Sequence, residues 1–352
     1  MLECYLTGSI IKAHKDDDKG MDASLEHVIP NSLGGQVKSS KILSLEANQI
    51  LNEDIDKNFN KIFSSLVSRL NIKRDRKSSQ NFLATHENYG VDVIYKNGKY
   101  FPKKPFFDKN KLTIYADSIK NGENYKKYLL KQETIKESDR VKIFDDLAGA
   151  FNAPFSLSNE VFKRGFGKIS AGFAAINGIS RNNMKSVIDL GNNCIKRNVI
   201  LSPYLPTQDA EGSFEENKHK SPNYPVHSLV LCGNKESRFL YCYVELFSAF
   251  QFYVLLDDDY EGEDIYKSYI YDLINAKEIE YQDYAKSIPS SSNLFNILPV
   301  YRYIDKSMFV ALTHIKKDDI KFYCHRNYHA LEAFTNYYFI SEKAKHLQRK
   351  RA

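Results

Sequence analysis

At 352 residues the chain is longer than one hydrophobic core usually serves, so about two or three domains are expected. Apolar residues make up 42% and charged residues 27%, a balance that excludes a disordered or collagen-like chain. The net charge of +6 suits a polyanionic partner without demanding one, and no stretch approaches the roughly 18 apolar residues of a membrane span.

The first 25 residues combine a short apolar run, Ser9-Ile10-Ile11, with a charged patch from Lys15 to Gly20 that reads as a solvated turn. Two extended segments, Leu25 to Ile29 and Lys41 to Leu43, are expected to flank the turn-forming loop Pro30-Asn31-Ser32-Leu33-Gly34-Gly35. A helix should begin near Leu45. Its apolar positions Phe59, Ile62, Phe63, Leu66, Val67 and Leu70 recur at three- and four-residue steps, and the pattern ends at Asn71. The basic cluster Lys73-Arg74-Asp75-Arg76-Lys77 follows, readable as a solvated linker or as a phosphate contact.

Asn97-Gly98 between Val91–Tyr95 and Tyr100–Phe101 predicts a hairpin. Residues 117–200 read as mainly helical, including Ile143 to Phe151 and Phe162 to Ile176. Arg164 and Lys168 lie one turn apart, as an exposed basic face or a backbone contact. Beyond Pro203, Pro206, Pro222 and Pro225, strands are expected at His227–Leu231, Phe239–Phe247 and Phe252–Leu256, and a final helix at about Ala330 to Lys350. These readings give an α+β chain in three parts: 1–75, a mainly helical 76–200, and an α+β region 201–352.

The cysteines (Cys4, Cys194, Cys232, Cys242 and Cys324) form no CxxC pair and are odd in number. A reducing cytoplasm is therefore expected rather than a disulfide framework, and Met1-Leu2-Glu3-Cys4 lacks the regions of a secretory signal.

The chemistry concentrates near the N-terminus. Hydrolysing a phosphodiester needs a base to activate water, a cation to meet the phosphate charge, and a rigid frame for both. Glu26 and His27 are adjacent, and on an ideal strand they would face opposite sides. Asn48 and Asn52 are four apart and share a helical face. A carboxylate with amide oxygens suits a hard divalent ion, Mg²⁺ or Mn²⁺, better than zinc.

The run Glu26-His27-Val28-Ile29-Pro30, followed by Leu33-Gly34-Gly35 and Asn48, resembles the HNH endonuclease superfamily, in the branch that opens on Glu-His-x-Ile-Pro. The resemblance covers about residues 1–70 and implies a ββα-metal module followed by a larger mixed helical and sheet region. It implies that His27 is the general base, that Glu26 and Asn48 hold one Mg²⁺ or Mn²⁺, and that Asn52 is a ligand in some relatives only. Lys41 stands where the family has its middle Asn; with Lys73, Arg74 and Arg76 it is a candidate nucleic-acid contact. Many relatives carry a structural zinc on two Cys pairs. Here those positions hold Cys4 and Thr7, then Ser44 and Ala47, so structural zinc is not expected.

The implied function is metal-dependent cleavage of DNA, in restriction or anti-phage defence. The expected enzyme is cytoplasmic, has no membrane role, is gated by a partner or a small-molecule ligand sensed by the C-terminal part, and has a regulatory protein or a second copy of the chain as its protein partner. A degenerate module that binds nucleic acid or a partner without cutting is the alternative.

Overall fold

The computed structural model describes residues 2–11, 24–72, 81–96, 99–152, 160–206, 209–289, 302–314 and 317–349, with the side chains of 209–211, 317–326, 343–344 and 346–349 outside that description. The chain is an α+β protein. In order, β1 (Leu2–Glu3) pairs with β2 (Ile10–Ile11), and β3 (Glu26–His27) pairs antiparallel with β4 (Lys38–Ser39). Next come α1 (Leu45–Leu51), a π-helical turn at Asn52–Asp56, α2 (Lys57–Ile62) and α3 (Ser64–Arg69).

Strands β5 (Phe82–His86), β6 (Asp92–Lys96), β7 (Lys99–Pro102), β8 (Phe106–Asp108) and β9 (Thr113–Tyr115) follow, then α4 (Ile119–Lys131), β10 (Lys142–Phe144) and β11 (Phe151–Asn152). Helix α5 (Glu160–Ile176) precedes β12 (Ile188–Asp189), β13 (Cys194–Ile195), β14 (Leu201–Pro203) and α6 (Asp209–Asn217). The last part holds β15 (Val226–Asn234), β16 (Phe239–Leu246), β17 (Phe250–Asp257), β18 (Ile265–Asp272) and β19 (Lys277–Glu278). Helices α7 (Tyr281–Lys286), α8 (Lys306–Thr313) and α9 (Lys317–Arg349) follow.

The chain divides into two compact units, one of Met1–Asn60, Ile72–Asp75 and Leu157–Ile340, the other of Lys61–Asn71, Arg76–Ser156 and Ser341–Ala352. These cut across the segments 1–75, 76–200 and 201–352 read from the sequence: α5 and the strands after it share a unit with the N-terminal residues.

In the larger unit the centre is a six-stranded antiparallel sheet, ordered β14-β17-β16-β15-β18-β19. All eight residues of β16 and of β17 are buried, which explains their near-continuous apolar sequence. Val230, Tyr241, Tyr243 and Tyr253 face a core shared with Phe214, Tyr284, Phe309 and Leu312 from α6, α7 and α8. The opposite face meets α5, whose Phe162 and Phe166 stack edge-on against Phe252. Twelve of the seventeen residues of α5 are buried, because the helix is also covered on its far side. There Phe59 of α2 packs on Phe162 and Phe166, and a Cβ on Gly165 would lie 2.1 Å from the Phe59 ring. Only glycine permits that approach.

The smaller unit carries two sheets, β11-β5-β6-β7 and β10-β9-β8, with α4 packed over Ile114 and Ile143. The expected hairpin is present: β6 and β7 pair with Lys96 opposite Lys99, although 97–98 themselves lie outside the described residues. The helix expected over Ile143–Phe151 is absent. Lys142–Phe144 pairs parallel with Thr113–Tyr115, and Asp145 and Asp146 turn to Lys99 and to the Tyr100 backbone N–H. Long-range pairing and side-chain capture of backbone override local helical spacing there. The patch Lys15–Gly20 lies outside the described residues, and no helix among those described is long and apolar enough to cross a membrane.

Candidate functional site

Strand β3 ends at the irregular loop 28–35. Val28 N–H donates to Val37 O, and Gly35 N–H donates back to Pro30 O. A Cβ at Gly35 would sit 1.8 Å from the Ile29 carbonyl oxygen, so the loop closes only with glycine there. The second extended segment, expected at Lys41–Leu43, forms its strand at Lys38–Ser39 instead. The carbonyls of Ile42 and Leu43 are taken by the Tyr5 and Ser24 backbone N–H groups, which leaves them no place in the β3–β4 ladder. The loop is pinned from the sheet by His227, whose Nδ1 accepts from Phe247 N–H at 3.2 Å and whose Nε2 lies 2.9 Å from Leu33 O. With Nδ1 accepting, the proton sits on Nε2 and donates to Leu33. Burial pushes this imidazole down to about 4, against the pull of the Leu33 carbonyl.

Glu26 and His27 alternate as strand neighbours must. His27 is half-buried, with Nε2 3.2 Å from Asn31 Nδ2. With the Asn31 amide as donor, Nε2 is the unprotonated nitrogen, the state a general base requires. Asn48, also half-buried, donates from Nδ2 to Ser24 Oγ at 2.6 Å, and Glu26 N–H donates to Ser24 O at 2.9 Å. Ser24 thus ties α1 to the start of β3. Asn52 is exposed, and its N–H caps α1 onto the Asn48 and Gln49 carbonyls. Lys41 is exposed beside a shallow surface groove of about 590 Å³ that Lys38 also lines. Lys73, Arg74 and Arg76 lie outside the described residues.

Glu26 is 3% exposed and points inward to Lys168 of α5, itself 2% exposed. The Lys168 Nζ is 2.6 Å from Glu26 Oε1 and 2.9 Å from Asp56 Oδ2. Burial opposes the charge on Lys168, but Asp56 and Glu26 outweigh it and raise its pKa above the ordinary lysine value. Burial raises the Glu26 carboxyl, with Lys168 pulling it down and Asp56 pushing it up. One turn earlier, Arg164 pairs with Asp54 through both terminal nitrogens. The basic pair of α5 is therefore neither exposed nor turned to nucleic acid, correcting that reading: both side chains grip the π-helical turn. That turn adds a residue to the helix and brings Ile55 and Asp56 inward together.

The implied divalent ion does not fit the residues as they are arranged. The Lys168 ammonium already lies between the proposed ligand Glu26 and the neighbouring carboxylate of Asp56. No group of three or more His, Cys, Asp or Glu side chains able to hold a metal occurs among the described residues. The zinc positions likewise hold one thiol: Cys4 is buried and accepts from Ser44 Oγ at 3.7 Å, while the Ser44 oxygen also caps α1 at Ala47 N–H. Burial would raise that thiol, but hydrogen bonds from Thr7 and Ser44 bring it below its ordinary value.

No family model, curated protein or solved structure matches the chain. The site's meaning rests on its own residues. Asp56, Ser24 and Asn31 carry no role in the sequence reading, and Lys168 enters it only as part of a basic face or a nucleic-acid contact. Asp56, eight residues beyond Asn48, carried a helical-spacing signal, whereas nothing local links Lys168 to a carboxylate 112 positions earlier.

Proposed function

We propose that the chain is an HNH-type endonuclease acting on DNA phosphodiester bonds, held shut in this conformation. The observation that carries the reading is His27. It sits half-buried at the end of β3, with Nε2 facing the Asn31 amide, while Ser24 joins its strand to Asn48. A water taking the place of that amide would meet the imidazole lone pair and could be deprotonated for attack on phosphorus. Lys38 and Lys41, lining the groove beside β4, suit a phosphate backbone, and Lys41 keeps its place as a candidate contact. Mg²⁺ or Mn²⁺ dependence belongs to the proposal for the open form only. A role in restriction or anti-phage defence belongs to it through the HNH resemblance, and a cytoplasmic setting and gating by a partner or a small-molecule ligand belong to it as expectations of the sequence.

A second reading is favoured by the buried Lys168: a degenerate module that binds DNA or a partner and never cuts. The two separate experimentally. The nuclease reading expects plasmid nicking that disappears in His27→Ala. Duplex affinity that falls steeply with salt, without nicking whether Lys168 is present or replaced, supports binding alone.

A further inference from the structure

The three-stranded sheet of the smaller unit has two unlike faces. Phe107, Ile114 and Ile143 pack under α4, so the next residue along each strand must point the other way. There Phe106, Tyr115 and Phe144 stand in register across β8, β9 and β10. Their rings are stacked, with centroids 5.2 Å apart from Phe106 to Tyr115 and 6.1 Å from Tyr115 to Phe144. Tyr89 extends the row beyond Phe106 at 5.1 Å. The other end is open: Phe144 lies on the edge strand β10 and is 47% exposed. Cross-strand packing accounts for Phe106 and Tyr115, but not for a phenyl ring left in water at the sheet edge.

The charges beside the row are positive. Lys142, two residues before Phe144, is exposed on the same face. The Lys111 ammonium donates to the Tyr89 hydroxyl at 2.9 Å, and that hydroxyl donates to Asp108 at 2.8 Å. The Asp108 side chain is only 8% exposed, against 64% for Lys111, so the cation faces outward and the carboxylate serves to fix Tyr89. Beyond Phe144, Asp145 is paired with Lys99 and Asp146 accepts from the Tyr100 N–H. An open aromatic row flanked by lysines is complementary to a chain of flat bases on a phosphate backbone. Bases inside a duplex are already stacked on one another and cannot reach such a row, whereas those of an unpaired strand can.

We infer that this face of the smaller unit is a stacking platform for an unpaired DNA strand, with a base on Phe144 and phosphates on Lys142 and Lys111. The choice of DNA rests on the nuclease reading, while the platform rests on the rings and lysines themselves. The experiment is fluorescence anisotropy of labelled oligo(dT), about 12 nucleotides long, with the full chain in EDTA. The same titration is run with a duplex and with oligo(rU). Phe144→Ala should weaken oligo(dT) binding about tenfold and leave duplex binding unchanged, while Phe144→Tyr should stay within about twofold of wild type. Lys142→Ala should lower the salt slope by about 0.7. The chain has no tryptophan, so Phe144→Trp provides a single indole whose emission oligo(dT) should quench and a duplex should not. The platform is overturned if wild type does not bind oligo(dT), if Phe144→Ala binds it as well as wild type, or if the indole is not quenched. Tighter binding of oligo(rU) than of oligo(dT) would overturn the assignment to DNA. Strand binding by a protein that nicks nothing keeps the platform and removes the nuclease reading; His27-dependent nicking without strand binding does the reverse.

Discussion

Protonating His227 should loosen the seam between the sheet and the loop that follows the Glu26–His27 strand. The imidazole is fully buried, accepts from Phe247 N–H and donates to Leu33 O, so it must be neutral to fit. Its pKa is held at about 4 in the folded chain, against 6.5 for an ordinary histidine. Between those values the unfolded chain binds more protons than the folded one, so stability falls as pH falls. This contribution is complete above the unfolded pKa and is lost as pH drops toward the folded one. The loss from this group comes to about 2 kcal/mol at pH 5 and about 3 kcal/mol at pH 4.

Urea unfolding at pH 7.5 and pH 5 measures it, followed by circular dichroism and by the fluorescence of the 24 tyrosines in a chain without tryptophan. Carboxylates titrate over the same range, so the comparison is with His227→Gln, which cannot protonate there. The variant should cost about 1 kcal/mol at pH 7.5 for its imperfect hydrogen bonds. It should then lose about 2 kcal/mol less than wild type on acidification. Equal losses in the two proteins, within about 0.5 kcal/mol, would refute the buried neutral imidazole.

Other perturbations test the frame. Gly35→Ala, with its Cβ driven onto the Ile29 carbonyl, should cost about 3 kcal/mol or more in thermal or urea unfolding. In the sheet core, Lys218 lies 2.7 Å from Glu215 and 2.9 Å from Glu245, with Arg302 completing the network. Lys218→Met should cost about 3–5 kcal/mol by leaving buried carboxylates short of a cation, and a companion Glu245→Gln should recover part of that loss. Burial would raise Glu215, but Arg302 and Lys218 hold it at about 2, so its share of stability is present above the ordinary carboxylate range and is lost progressively as pH falls from there through about 2. Metal analysis of the purified chain should find no stoichiometric zinc, since Cys4 is the one thiol among Cys4, Thr7, Ser44 and Ala47.

Much of the architecture was legible because it follows from local periodicity. The near-continuous apolar run through 239–256 holds two strands that are buried throughout, and the hairpin expected from the sequence is present in the pairing of Val93–Lys96 with Lys99–Pro102. Where sequence reading went astray, distant partners decided the outcome. Ile143 has helical neighbours, yet its strand is made by Thr113–Tyr115. Lys168 and Arg164 have the spacing of a solvated basic face, and they are buried because carboxylates more than a hundred residues earlier receive them. Glu26, His27 and Asn48 were visible as a constellation. That Glu26 is already satisfied by a lysine was not, because Lys168 comes from α5, far along the chain, with no local pattern linking the two. The placement of α5 therefore decides what the motif can do.

The most direct test of the proposed nuclease is nicking of supercoiled plasmid by four proteins: wild type, Lys168→Met, His27→Ala, and Lys168→Met with His27→Ala. Each is assayed with Mg²⁺, with Mn²⁺ and with EDTA. The account predicts nicking by Lys168→Met well above wild type, requiring the divalent ion and abolished when His27 is also replaced. Nicking that survives the loss of His27, or the absence of nicking from a folded Lys168→Met protein, would contradict it.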